Sequence, residues 1–469
     1  SHYWEITEEC VYTFNIPGNI FTTFNPFAIL VTVANVILNG GGLTINGNAG
    51  EGSSGILVQN TSNVFITDFT IQEKEAGIVY DNVQYNSSQV VYNQVDDVTV
   101  DQNTYGIFLK DSENITVINS TMTSNTNSGL YSINTSESRI VDNYGENNRI
   151  GINLSDSKQN IIDSNIIEGS SVTGIQVQNI EDGVIENNIM RFGMGEGLSG
   201  IEGTNISILD NNASYNAGNG ISLTQVANGN LSENILLRNE NAGLNLNGIS
   251  GLNISDNTIR SNLGHGISLQ NSDSNNISRN TAEDNSLSGI LLSNSDLNNL
   301  SENSVRENKG NGISLVDSNQ NNLTNNDISS NEGNGIDLTR AIQNIILNNQ
   351  VYLNQGSGIV LRISSTGNTL DSNVITNNEE YGLLISRSPD NTIRMNLISA
   401  NQFNFKVEGE TDADYYQNAQ GNTVDTKSLF YLVNQSNATI NESDNAGTVY
   451  CINCTNFSAR DLNLTGNAY

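Results

Sequence analysis

Basic side chains are scarce in this chain: 18 Lys and Arg stand against 50 Asp and Glu, a formal charge of −32. Nucleic acid and anionic membrane surfaces are engaged through basic patches, so neither partner is expected. A long apolar run is missing too. The most apolar stretch, Pro26 to Leu38, is interrupted by Thr32 and Asn35 and falls short of the ~20 residues that a spanning helix needs. No membrane span is expected, and any anchor lies outside these residues. The start at Ser1, without Met or a basic-then-apolar leader, fits both a cleaved secreted protein and a sequence that begins late. Good helix formers are also in short supply, because Asn, Ser, Thr and Gly make up 209 of the 469 residues. Asn, Ser and Thr compete for backbone hydrogen bonds and Gly costs entropy, which excludes helical bundles and α-solenoids. Disorder is excluded as well, since the 36% of apolar residues recur at fixed positions.

That recurrence decides the fold. Gly followed by Ile or Leu occurs at Gly106, Gly129, Gly151, Gly174, Gly197, Gly220, Gly243, Gly266, Gly289, Gly312, Gly335, Gly358 and Gly382, with weaker copies at Gly55 and Gly77. Nearly every interval is 23 residues. From Gly266 the apolar positions are Ile267, Leu269, Ile277 and Ala282; from Gly289 they are Ile290, Leu292, Leu300 and Val305. The first pair alternates with period two and marks a strand with one buried face, and the later positions mark two more short strands. Three strands per coil with polar corners make a triangular solenoid, stacked at ~4.8 Å. Fourteen steps from Gly55 to Gly382 then give a rod about 67 Å long on that spacing.

Asn keeps the same step. One column comprises Asn234, Asn257, Asn280, Asn303, Asn326 and Asn349, and another Asn239, Asn262, Asn285, Asn308, Asn331 and Asn354. Asn tolerates the left-handed corner conformation, and its amide can bond to the same Asn one coil away. These columns are expected to be structural ladders.

Gly-Ile-x-Leu, then Ser, Asn-x-Ile, Asn-x-Ile and Asn, resembles the single-stranded right-handed parallel β-helix of the carbohydrate-binding and sugar-hydrolase class. The NosD-like branch and archaeal cell-surface or sheath proteins are the most similar in style. The segment Val36-Ile-Leu-Asn-Gly-Gly-Gly-Leu-Thr-Ile-Asn-Gly47 resembles the first coil of such proteins. The expected organisation is an aromatic cap over 1–35 (Tyr3, Trp4, Tyr12, Phe14, Phe21, Phe24, Phe27), repeats over 36–400, a polar excursion over 401–447 with its own apolar strand Leu429 to Val433, and a terminal coil over 448–469.

The resemblance also implies chemistry to look for. β-Helix polygalacturonases share a cluster of three Asp and a Gly-His-Gly. Gly264-His265-Gly266 occurs here, but His265 takes the place that Asn219, Asn311 and Asn334 fill in other coils, so a turn residue is expected. The Asp96-Asp97 pair lies about seven coils away, too far to share a bond with it. Pectate lyases imply calcium held by stacked acids facing an Arg; Asp412 and Asp414 come close together, but no such column is evident. Two His and four Met cannot build a repeated copper site. No catalytic residue, metal or cofactor is expected, and the chain is expected not to be an enzyme.

Asn-x-Ser/Thr sequons cluster at the C-terminal end: Asn434, Asn437, Asn441, Asn453, Asn456 and Asn463. Others fall in one column, Asn230, Asn253, Asn276, Asn299 and Asn322, where glycans at every coil would collide. Asn325 to Asn422 carries none, so that flank is open to packing. The exposed excursion makes Asn434, Asn437 and Asn441 the first candidates for glycans. Three cysteines, Cys10, Cys451 and Cys454, leave an odd thiol. Pairing of Cys10 with Cys451 or Cys454 of a neighbouring protomer is one reading; burial of the last two in a strand and turn is the other. Together these features point to an extracellular, glycosylated β-helix rod that associates with itself in a sheath, tube or surface layer. A carbohydrate-active enzyme or polysaccharide-binding β-helix is the alternative.

Overall fold

The computed structural model describes residues 3–14, 20–23, 26–47, 50, 52–84 and 92–464; Phe24 and the sequon at Asn86 lie outside them. The chain divides into two compact units, Ser1–Glu240 and Asn241–Tyr469, each a stack of right-handed parallel β-coils.

In the C-terminal unit the repeat and the hydrogen-bond register coincide. Strands Ile267–Gln270, Asn276–Ser278 and Thr281–Glu283 form one coil. Each pairs in parallel with its equivalent 23 residues on, as Ile267↔Ile290, Ile277↔Leu300 and Ala282↔Val305. Ile267, Leu269, Ile277 and Ala282 are fully buried. The repeat Gly is required by the closeness of the coils: a Cβ on Gly266 would sit 2.5 Å from the carbonyl oxygen of Gly289.

Corners turn through left-handed residues, but these are not the ladder Asn. Glu302 (φ 57°) and Glu307 (φ 58°) carry the turn, and Asn303 and Asn308 follow them with their amides inside. The Asn is selected for its amide rather than for its backbone. Its Oδ1 accepts from the preceding coil while its Nδ2 donates to the next. Along one column the Nδ2-to-Oδ1 distances are 3.0 Å for Asn280 to Asn303 and 2.9 Å for Asn303 to Asn326 and for Asn326 to Asn349. The second column runs Asn285, Asn308, Asn331, Asn354 at 2.9–3.0 Å. A third, which the sequence reading missed, runs Asn275, Asn298, Asn321, Asn344 at 3.0–3.2 Å.

The N-terminal unit repeats the plan: Asn143, Asn165, Asn188, Asn211 and Asn234 form one ladder, and Asn216 donates to Asn239. The segment before Val36 contributes strands to the stack rather than a separate cap. Trp4–Ile6 pairs in parallel with Phe27–Val31, which pairs with Ser54–Gln59. Its rings pack on this coil, Tyr3 on Phe27 at 4.7 Å and Phe14 on Phe69 at 5.7 Å.

Residues 401–447 are likewise coil for most of their length. Phe403–Glu408 continues the register of Tyr381–Ser386, and Asn418–Gln420 that of Thr392–Arg394. The first departure is at residues 409–417, around a short 3-10 turn Asp412–Tyr415, which stretches the step from Asn391 to Gln417 to 26 residues; a second follows where Thr423–Val424 pairs antiparallel with Lys427–Val433. Beyond it the step shortens: Phe430 pairs with Val449 in the parallel pair Lys427–Val433 and Ala446–Ile452. Phe405 is buried there against Tyr431 and Tyr450.

Cys451 and Cys454 form a disulfide with each other, their Cα atoms 5.8 Å apart across the left-handed corner at Asn453 (φ 52°). This overturns pairing of either with Cys10 of a neighbour. Cys10 is an exposed free thiol.

Candidate functional site

Residues 105–133 of the N-terminal unit break the polar pattern of the outer surface. Tyr105–Lys110 lies between Ala76–Asp81 and Ser128–Ile133 in parallel register. Ile107, Leu109 and Leu130 point inward and are buried, so alternation turns Phe108 and Tyr131 outward. Further along the same outward column stand Asn153, Gln176 and Ser199. Phe108 and Tyr131 stack at 5.2 Å and 15°, and Tyr105 joins both at 5.4 and 5.5 Å. All three are half-buried. The Asn127 amide donates to the Tyr105 hydroxyl at 3.1 Å. Burial pushes the Tyr131 phenol up, helped by Tyr105 and by the charge of Asp156.

Two clefts lie on this unit, the first of them lined by two of these rings. One, of about 240 Å³, is walled by Leu57, Val79, Tyr105 and Phe108 and edged by Asp81 and Lys110, whose charged groups lie 3.5 Å apart. The other, of about 250 Å³, lies at the ends of the following strands among Asn134, Asp156, Lys158 and Asn179. Hydrogen bonds from Asn179 and Ser155 hold the Asp156 carboxyl below its usual range. Apolar ring surface beside amides, hydroxyls and single charges is the chemistry that a saccharide presents in complement: C–H faces and a rim of hydroxyls. In the C-terminal unit, a cleft of about 540 Å³ between Asn418–Gln420 and Lys427–Val433 is lined by amides, hydroxyls, Phe430 and Leu432, with no ionisable carboxyl or amine.

His265 does what its column does. Its Nδ1 accepts from the Ser288 backbone N–H at 3.2 Å, just as the Asn311 and Asn334 Oδ1 atoms accept from Asn334 and Ser357. Six carboxylates of the C-terminal unit, those of Asp256, Glu283, Asp317, Asp337, Asp371 and Glu410, are engaged by an Arg one coil away. Glu283 sits between Arg260 and Arg306 at 3.0 and 3.1 Å, and Asp317 faces Arg340 at 2.7 Å. Asp337 is buried, yet it is matched by Arg362, Asn334 and Thr339. Asp414 caps its own turn, accepting from the backbone of Glu410 and Thr411. Among the described residues no group of three or more His, Cys, Asp or Glu has a metal-holding arrangement.

The sequons separate into two settings. Asn253, Asn276, Asn299 and Asn322 are half-buried and laddered. Asn230, Asn434, Asn437, Asn441, Asn453, Asn456 and Asn463 are exposed.

A family model described as the right-handed β-helix region matches residues 83–240, 193–324 and 242–398. No curated protein sequence matches the chain. Among solved structures it resembles the mannuronan C-5 epimerase A-module of Azotobacter vinelandii (15% identity, 83% of this chain and 90% of that one, TM-score 0.36). It also resembles the DFA-IIIase of Arthrobacter chlorophenolicus A6 (11%, 50% and 67%, TM-score 0.36) and a surface adhesin of Streptococcus pneumoniae (13%, 71% and 85%, TM-score 0.37). The expectation that the chain is not an enzyme is corrected: this fold carries many chemistries, and a missing signature motif does not exclude catalysis on it. The matches over residues 83–398 carry one conclusion: this chain belongs to the right-handed β-helix family.

Proposed function

We propose that this chain is an extracellular surface protein that holds polysaccharide on the outer face of its N-terminal unit. The observation that carries the reading is the Tyr105–Phe108–Tyr131 cluster, three mutually stacked rings half-exposed on a strand face whose next three coils turn Asn153, Gln176 and Ser199 outward. Stacking spends little conformational entropy, because the rings already brace one another. Calorimetric titration with an oligosaccharide panel tests it: one or more sugars bind, and Tyr131→Ala weakens that binding by about tenfold, a hot-spot effect. Binding indifferent to both Tyr131→Ala and Phe108→Ala sinks the idea.

Self-association into a sheath, tube or layer is the second reading. It is favoured by apolar side chains on the sequon-free stretch of the C-terminal unit, where Val374 and Leu397 pair in register and Leu353 and Met395 are 54% and 65% exposed. Sedimentation of Leu397→Asn against the parent chain decides it, with loss of assembly expected.

A further inference from the structure

A second cluster stands on a different corner of the N-terminal unit. In that unit the described left-handed residues other than Gly are Asn, Asp, Glu, Gln or Ser, with three exceptions: Phe192, Tyr215 and Arg238. They follow one another at 23-residue steps, so they occupy the same corner of successive coils. A bulky ring at φ 61° is sterically disfavoured, and short polar side chains are the natural choice there. Burial does not compensate, because Phe192 and Tyr215 are 56% and 45% exposed and Met194 beside them 76%. Each ring carries a guanidinium, Arg191 over Phe192 at 5.3 Å and Arg238 over Tyr215 at 5.8 Å. Arg191 is paired with Glu168, whereas Arg238 has no carboxylate partner within 4.0 Å among the described residues. The Asn ladder lapses at the same corner. Asn148 is succeeded by Ser170 and Gly193 before Asn216 restores it, and the buried Ser170 hydroxyl has no partner among the described residues.

Disfavoured, exposed rings in a locally weakened stretch of scaffold are what a functional constraint leaves behind. We propose that this corner recognises an acidic saccharide, a uronate residue of a polysaccharide. Phe192 and Tyr215 take the C–H face of the sugar, and Arg238 takes its carboxylate. A guanidinium suits a carboxylate because it offers parallel donors in one plane. Phe, Tyr, Met and Arg are also enriched at protein interfaces, so a protein contact is one outcome that the test separates. The ligand class rests on the polysaccharide reading above, but the residues are separate from Tyr105, Phe108 and Tyr131.

The test compares oligogalacturonate with its methyl ester, which removes the charge and keeps the sugar. Calorimetry on the full chain is expected to show the acid form binding at least about tenfold tighter, the scale of one charge-assisted pair. Arg238→Gln abolishes that preference. Phe192→Asn with Tyr215→Asn abolishes binding of both forms while circular dichroism stays that of the parent, since Asn suits the left-handed corner. Equal affinity for acid and ester, unchanged affinity in the double variant, or no binding of oligogalacturonate by the parent chain overturns the proposal. Neutral oligosaccharides that still bind through Tyr131 in those cases leave the polysaccharide reading standing while this corner falls. Loss of self-association in the double variant, with oligogalacturonate binding intact, reassigns the corner to a protein contact.

Discussion

The Asn276 amide nitrogen donates to the Asn253 side-chain oxygen at 2.8 Å, one coil to the next. Asn299 donates to Asn276 and Asn322 to Asn299 in the same way, at 2.9 and 3.0 Å. The nitrogen a glycan would occupy is thus already in use along this column. At the C-terminal end Asn453 donates to Asn434 and Asn456 to Asn437, both at 2.6 Å, so Asn434 and Asn437 enter as acceptors on exposed corners. Glycopeptide mass spectrometry of protein from a glycosylating host is expected to find glycans at Asn434 and Asn437 and bare Asn276 and Asn299. Occupied Asn276 would refute the argument.

The inner ladders give a stability prediction. Asn303 accepts from the Asn280 backbone and side chain, both at 3.0 Å, and donates to Ile277 at 2.8 Å and Asn326 at 2.9 Å. Asn303→Ala leaves four buried polar groups without that partner, and each costs roughly 1–3 kcal/mol when unsatisfied. Neighbouring coils relax, so a net loss of about 3 kcal/mol is expected. Coils of a solenoid open locally, and hydrogen exchange at the Asn280 amide is the direct readout. Protection unchanged by the substitution would show that the ladder contributes little.

How far the sequence could be read follows from such residues. The Gly beat and the Ile and Leu positions fixed to it specify register, because a one-residue slip would turn every inward side chain out. Asn275 and Asn276 show where reading stopped. They are adjacent, so one amide turns inward and the other outward; the outward one carries a sequon and drew attention from the inward column beside it. Phe108 and Tyr131 stand two residues after their repeat Gly, where the next three coils have Asn153, Gln176 and Ser199, and that contrast was available in the sequence. That Tyr105 joins them was not, since it depends on how the strand begins. The Cys451–Cys454 bridge depended on the backbone folding back at Asn453.

Cysteine titration checks that bridge. Under denaturing conditions without reductant one thiol per chain, Cys10, is expected to react, and three after reduction. Any reductant-sensitive dimer then runs through Cys10 alone and disappears in Cys10→Ser. Three reactive thiols before reduction would remove the disulfide.

The last prediction concerns His265 and pH. Its Nδ1 accepts a backbone hydrogen bond from Ser288, which requires a ring nitrogen without a proton. Burial lowers the imidazole below its ordinary 6.5. Between that lowered value and 6.5 the unfolded chain binds more protons than the folded one, so stability rises with pH in this window. The contribution is complete above 6.5 and is lost as pH falls below it. His265→Asn should remove this dependence without loss at neutral pH, because Asn311 and Asn334 accept the equivalent hydrogen bond in the same column. The measurement is hydrogen exchange at the Ser288 amide in parent and variant from pH 5 to 7.5, about the range over which a histidine changes charge, after correction for the intrinsic rate. Protection that weakens on acidification in the parent but holds in His265→Asn is expected. A parallel decline in both chains would assign the pH dependence to the carboxylates instead.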